Sequence, residues 1–337
     1  MSGRGRARMS PAAAAAAAAV ATAAGAGACT SFESPNIVLD TRVIAMKASR
    51  PDQVIEVDLD RPPEPAALLD QLEPSEMCAL VVDPGRERGL VWSMTLCVLD
   101  GDQLCASNAS LLLASGVLPD PDTASPRPSM CATVNPDGNL LAVLLEALED
   151  DELRGLGGID YGVSLVVRGE DDEPALDLFA GKRMRVAPRI PDARTANANP
   201  SLVRIEATVG ADVVPLPLGR CVDQPAPLTL APRQEVRLTP IEDPAAREVY
   251  TVPRLDGDQQ TFTESLTYQW LATAGSLSRG STGGPRDAVG NPAELFTDYR
   301  APAAAELSGP LDVSLWIVQR DERLGAEWYE ACVRVVP

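Results

Sequence analysis

The chain has 337 residues, a formal net charge of −19, an isoelectric point near 4.4 and no histidine. Such a charge argues against nucleic acid or an anionic surface as a partner. Without histidine there is no Ser-His-Asp or Cys-His nucleophile and no histidine-ligated zinc or haem, which leaves carboxylates, Ser-Lys pairs or bound calcium as available chemistry.

The N-terminus carries Arg4, Arg6 and Arg8, followed over 12–28 by an alanine-rich, weakly apolar stretch containing Thr22, Gly25 and Gly27. A basic start, a short apolar tract and small residues at its exit mark a signal peptide over 1–28. The tract is short for a stable spanning helix, and no later segment is apolar enough for one. Ala26-Gly27-Ala28 satisfies the small-x-small rule of ordinary signal peptidase. Ala26-Gly27-Ala28-Cys29 also resembles the lipobox of bacterial lipoproteins, departing from it at Ala26, where that family has Leu. The resemblance implies acylation of Cys29, a lipidated tether over 29–35 and the membrane as a partner through N-terminal lipid. Thr30 and Ser31, rather than Asp, follow the cysteine. In that family this implies an outer-membrane lipoprotein, on the periplasmic face or the cell surface. Cysteine parity agrees. With lipid on Cys29, the other six of the seven cysteines (Cys78, Cys97, Cys105, Cys131, Cys221 and Cys332) can pair in an oxidising compartment.

From residue 36 the pattern is that of a β protein, with strands expected over 43–48, 54–59, 78–82 and 90–99. Cys97 and Cys105 lie equidistant from Gly101 in an Asp-Gly-Asp reversal, as cross-strand partners in a hairpin do. A Cys97–Cys105 bond is therefore favoured, leaving Cys78 with Cys131, although the sequence alone allows three connectivities among these four. A Pro-, Asp- and Ser-rich loop covers 119–128. Leu140, Leu141, Val143, Leu144, Leu145, Leu148 and Leu153 fall near helical spacing with acids opposite. This predicts a helix near 139–154, ended by Gly155-Leu156-Gly157-Gly158. Strands at 161–168 and 177–186 surround a turn at 169–174.

Pro188, Pro191 and Pro200 set a linker at 191–200 between a domain at 36–190 and another at 201–337. Strands resume at 203–209, 235–238, 248–252, 265–271, 313–319 and 329–335, a spacing that indicates a sandwich. A faint repeat aligns Val163-Ser164-Leu165-Val166-Val167-Arg168 with Val313-Ser314-Leu315-Trp316-Ile317-Val318. Each copy is followed by an acidic turn and a final strand. The expected fold is all-β, with two Ig-like β-sandwich domains in tandem, the first with a short helical insertion, behind a disordered N-terminal leader.

Tyr268-Gln269-Trp270-Leu271-Ala272-Thr273-Ala274-Gly275, with Tyr299-Arg300-Ala301-Pro302 behind it, resembles the Tyr-x-Trp…Gly strand of bacterial Ig-like and PKD-like modules. The likeness spans 236–335 and departs from the PKD consensus, since no Asp-Phe-Gly-Asp-Gly follows the tryptophan. Together with the leader, the chain resembles the Ig-like surface lipoproteins abundant in myxobacteria and their relatives. Trp270 is expected between the two sheets, and Trp92 in the same role in the first domain. Cys221 and Cys332 remain to close the second domain. Trp316 and Trp328 are expected on an outer face, as a binding surface for a protein or glycan at the envelope.

Leu-Asp-Gly-Asp-Gln occurs at 99–103 and again at 255–259. Alternating carboxylates open calcium loops, but no further ligands and no closing Glu follow either copy, so both read as tight turns. The Gly/Ser-rich stretch 276–284 lacks the Gly-Lys-Ser/Thr ending of a phosphate loop. No catalytic residue, cofactor or metal is expected. The function implied is a lipid-anchored envelope protein with a non-enzymatic binding or structural role. The alternatives are a carbohydrate-binding module using Trp316 and Trp328, and an enzyme with carboxylates in a cleft between the domains.

Overall fold

The computed structural model describes residues 34–58, 60–61, 64–85, 89–99, 105, 111–118, 130–254 and 258–337. Residues 36–337 form one compact unit, apart from 1–35. The leader, Cys29, the 119–128 loop and most of the two Leu-Asp-Gly-Asp-Gln turns lie outside the described residues.

The compact unit is all-β, built from two sandwiches. In the N-terminal one, β1 (Arg42–Ala48), β3 (Ser75–Val82) and β6 (Met130–Val134) form one sheet in the order β1-β3-β6. The facing sheet takes β2 (Asp52–Ile55), β4 (Leu90–Cys97), β5 (Leu111–Leu118), β7 (Ile159–Gly169) and β8 (Leu178–Pro188) in the order β2-β8-β7-β4-β5, with β2 parallel to β8. In the C-terminal sandwich, β9 (Leu202–Val209), β10 (Asp212–Leu216), β12 (Glu235–Glu242), β16 (Ser276–Leu277) and β18 (Thr297–Arg300) are ordered β10-β9-β12-β18-β16. Opposite them, β11 (Leu228–Leu230), β15 (Thr267–Ala272), β17 (Ser281–Gly283), β19 (Leu311–Arg320) and β20 (Ala326–Val335) are ordered β11-β20-β19-β15-β17, with β11 parallel to β20. The two five-stranded sheets headed by a parallel strand therefore share one topology, that of an Ig-like sandwich. The repeated segments 163–168 and 313–318 fall in β7 and β19, the same place in each. A separate hairpin of β13 (Val249–Pro253) and β14 (Gln259–Thr263) stands between β12 and β15.

Alternation dictates which side chains enter each core. Tyr161, Val163, Leu165 and Val167 of β7 point inward and are fully buried, as are Val313, Leu315 and Ile317 of β19. The cores differ in chemistry. Met46, Met77, Met94, Met130 and Met184 fill the N-terminal one, whereas Tyr268, Trp270 and Tyr299 dominate the C-terminal one. Trp270 lies between the sheets as expected, its indole donating to Thr282 Oγ1 at 2.8 Å. Trp92 packs only partly against the N-terminal core. Cys78–Cys131 joins register-paired residues of β3 and β6 with Cα atoms 4.1 Å apart. Cys97–Cys105 and Cys221–Cys332 are the other bonds, with Cα separations of 5.3 and 4.9 Å. The favoured pairings and these bonds coincide.

Two helices interrupt the strands. Helix α1 (Pro65–Leu69) begins with proline, whose missing N–H costs nothing there. Helix α2 (Gly138–Glu149) is capped by Asp137, which accepts from the backbone N–H groups of Asn139 and Leu140 at 2.9 and 3.2 Å. It ends short of the expected residue 154. Glu149-Asp150-Asp151-Glu152 concentrates carboxylates at the negative end of the helix dipole, which disfavours continuation. Asp151 instead accepts from Gly155 N at 2.6 Å and starts a turn. Among the strands not foreseen, β5 is an edge strand whose sequence, LLLASGVL, carries no alternation.

The outer face of β1 and β3 lies on the outer face of the β20-β19-β15 layer. Ile44 and Ala45, with Leu80 and Val82 beside them, meet Leu271, Trp316 and Val318 in a third buried cluster, with Trp328 at its margin. The chain enters this contact through an added strand segment. Val38 N donates to Ala272 O at 2.8 Å and Ala272 N to Asn36 O at 3.0 Å. The 191–200 segment is held by side-chain amides. Asn199 donates to Ala48 O at 2.7 Å and accepts from Ala326 N at 3.0 Å, so one residue ties β1 to β20. Asn197 donates to Asp321 Oδ2 and Arg323 O, at 3.1 and 2.9 Å.

Candidate functional site

Trp316 does not form an exposed binding surface: it is only 4% exposed. Residue alternation correctly directs it away from the C-terminal core, but the N-terminal sandwich covers that outer face. Trp328 sits at the same contact, half-buried, with the Lys47 ammonium 4.4 Å from its ring centroid. Lys47 also pairs with Glu327. Lys182 donates to Leu324 O. The chain's two lysines thus both reach from the N-terminal sandwich to the C-terminal one. A glycan-stacking surface on Trp316 and Trp328 is excluded by this packing.

Carboxylates do converge between the sandwiches, but around a cation. Arg323 lies 3.5 Å from each of Asp52, Glu248 and Glu264, and donates to Thr195 O at 2.6 Å. Its guanidinium stands 4.9 Å from the Tyr250 ring centroid. Burial pushes the Glu264 carboxyl up to about 7, and it raises Asp52 against the pull of Arg194 and Arg323. This arrangement neutralises buried charge across the contact. Glu76, Cys78 and Cys131 also lie close enough together to hold an ion. Both sulfurs are joined in a disulfide, so they offer no thiolate.

An apolar cavity lies in the N-terminal sandwich. Helices α1 and α2 flank the end of the sheet where β2, β7 and β8 meet. Between them runs a groove of about 180 Å³. Leu68, Leu69 and Leu72 form one wall, and Leu141, Leu144, Leu145 and Leu148 the other. Ile55, Ile159, Val186 and Pro188 line its floor. Arg154, at the turn beyond α2, is the one charged residue among the described residues of its lining. Helix α2 therefore carries two apolar faces. Leu140 and Val143 are buried in the core, while Leu141, Leu145 and Leu148 repeat at i, i+4 and i+7 along the groove. Leu145 is 41% exposed at its mouth. The sequence signal was an excess of leucine over what one buried face requires, which the single-face reading absorbed. The described lining offers no hydrogen-bonding side chain other than Arg154, and such an apolar lining suits hydrocarbon.

No protein-family profile and no curated protein sequence matches the chain. Solved structures give partial likenesses. The tandem V-type regions of VCBP3, a v-region-containing chitin binding protein, are 9% identical, with a TM-score of 0.23 over 88% of this chain and 100% of that one. The collagen adhesin of S. aureus is 8% identical, with a TM-score of 0.16 over 88% and 93% of the two chains. The native E. coli alpha-2-macroglobulin is 11% identical, with a TM-score of 0.21; this chain spans only 17% of its length. These scores are too low to place strand upon strand, so the fold rests on the sheet orders described above.

Proposed function

We propose that this chain is a lipid-anchored, non-enzymatic envelope protein that binds the hydrocarbon part of an amphipathic ligand in the groove between α1 and α2. The observation that carries the reading is the groove lining: leucine, isoleucine, valine and proline, with a lone arginine at one end. An alkyl chain fills such a cleft without stranding polar groups, and Arg154 offers charge for an anionic head. The anchor is read from Cys29 and from the even number of the other cysteines, and Thr30 and Ser31 in place of Asp behind Cys29 support the outer membrane, on the periplasmic face or the cell surface.

Titration of the full chain with a fluorescent fatty acid tests the groove. Saturable binding is expected, lost in L145E and L148E while the near-ultraviolet circular dichroism is retained. A folded chain with no saturable binding rejects the groove. Metabolic labelling with palmitate tests the anchor separately, and label that persists in C29A rejects it.

A further inference from the structure

The covered face of the C-terminal sandwich has a counterpart that no described residue covers. Its equivalent in the N-terminal sandwich is the outer face of β8-β7-β4-β5, and there the apolar residues stand in solvent. Phe179 is 73% exposed and Leu112 65%. Registers across the four strands place the outward residues in rows. One row is Phe179, Val166, Ser93 and Ser115; the next is Gly181, Ser164, Thr95 and Leu112. Above and below them the charges nearly cancel. Arg168 lies 3.4 Å from Asp177, while Arg185 and Arg183 share Asp160 at 2.6 and 3.6 Å, leaving one positive charge in excess.

We infer that this face is a twofold interface with a second copy of the chain. A twofold axis across the strands, between the two rows, sets each row on the other row of the partner. Phe179 then meets Gly181, Val166 meets Ser164, Thr95 meets Ser93 and Leu112 meets Ser115. Every position places a larger side chain on a smaller one, the condition for two sheet faces to interdigitate. An unrelated partner has no reason to match that order, whereas the face matches itself. Charge selects the same surface. Chains of −19 repel one another, and they approach best where a face carries none of that negative charge, as here, where arginines outnumber the aspartates they pair with. The intramolecular contact of Ile44, Leu80, Trp316 and Val318 shows the same packing of sheet on sheet already in use. Four strands ~4.8 Å apart and about six residues of ~3.4 Å give a face of roughly 400 Å². That is about half of the ~800 Å² per partner in a standard interface, so the dimer is weak and concentration-dependent.

Analytical ultracentrifugation of the full chain from ~10 µM to ~1 mM tests this. A reversible monomer–dimer equilibrium is expected. F179D and L112D, at opposite corners of the face, should each weaken the dimer at least ~10-fold while leaving the circular dichroism unchanged. The double variant F179D/G181K should restore it, because the new carboxylate of each copy then faces the new ammonium of the other. A chain that stays monomeric at ~1 mM overturns the interface, as does a dimer indifferent to F179D and L112D. So does a folded F179D/G181K chain that stays as weak as F179D.

Discussion

The same face is buried in one sandwich and open in the other. In the C-terminal sandwich the outer side of β19 presents Trp316 and Val318, which are sealed beneath β1 and β3. In the N-terminal sandwich the outer side of β7 presents Ser164 and Val166, with Phe179 beside them in solvent. The topology is identical and the fate differs, so topology does not decide which surface is available. The neighbouring strands do. Asn199 and Lys47 hold β1 against β20, Asn197 and Lys182 hold the β19–β20 turn, and nothing comparable among the described residues covers β7.

The largest effect that would break this comparison comes from removing the tryptophan. Trp316→Ala should cost about 3–5 kcal/mol in urea unfolding, since it empties a buried site. Phe179→Ala, on the equivalent but exposed face, should stay within about 0.5 kcal/mol at concentrations where the chain is monomeric. Similar costs for the two would show that the faces are not different in kind. Next is Arg323→Ala, which leaves Asp52, Glu248 and Glu264 facing one another without their cation. A loss of about 3 kcal/mol is expected, and a change below about 0.5 kcal/mol would deny the cluster a part in the contact.

The pH dependence of that cluster sharpens the picture further. Glu264 titrates near 7 in the folded protein against an ordinary 4.5. Between those values the folded state holds a proton that the unfolded state has released, so stability falls as pH rises from 4.5 towards 7 and levels off above it. Asp52 is raised as well and adds the same sign. Melting temperatures at pH 5.5 and 7.5 should differ in that direction, and Glu264→Gln should reduce the difference; an unchanged slope would remove Glu264 from the account. A smaller effect than that of Arg323→Ala is expected of Lys47→Ala. It removes a half-exposed ion pair and a cation–π contact, worth about 1 kcal/mol together, and should read as a shift in the urea midpoint.

Much of the fold was legible in the chain, for reasons that particular residues show. Alternation of Trp316 with Ile317 put the tryptophan on an outer face, and the repeated segments 163–168 and 313–318 take the same place in their sandwiches. The equal offsets of Cys97 and Cys105 from Gly101 marked a local pair, which left Cys78 for Cys131. The strands that escaped are β5 without alternation and short pieces such as β16 and β17, whose pairing comes from neighbours far along the chain. The groove was legible only as surplus leucine on α2. Its other wall, α1, is five residues long and carries no buried residue of its own.

Sequence alone determined the all-β fold class, the number of its cysteines, the chemistry denied by the absence of histidine and the outward setting of Trp316. These depend on composition and on a period of two, which are local. Tertiary structure decided whether an outward face meets solvent or protein. Trp316 and Phe179 both point outward by alternation, and only the first is covered. Covering a face takes a second sheet brought from more than two hundred residues away, and no periodicity within a strand records it.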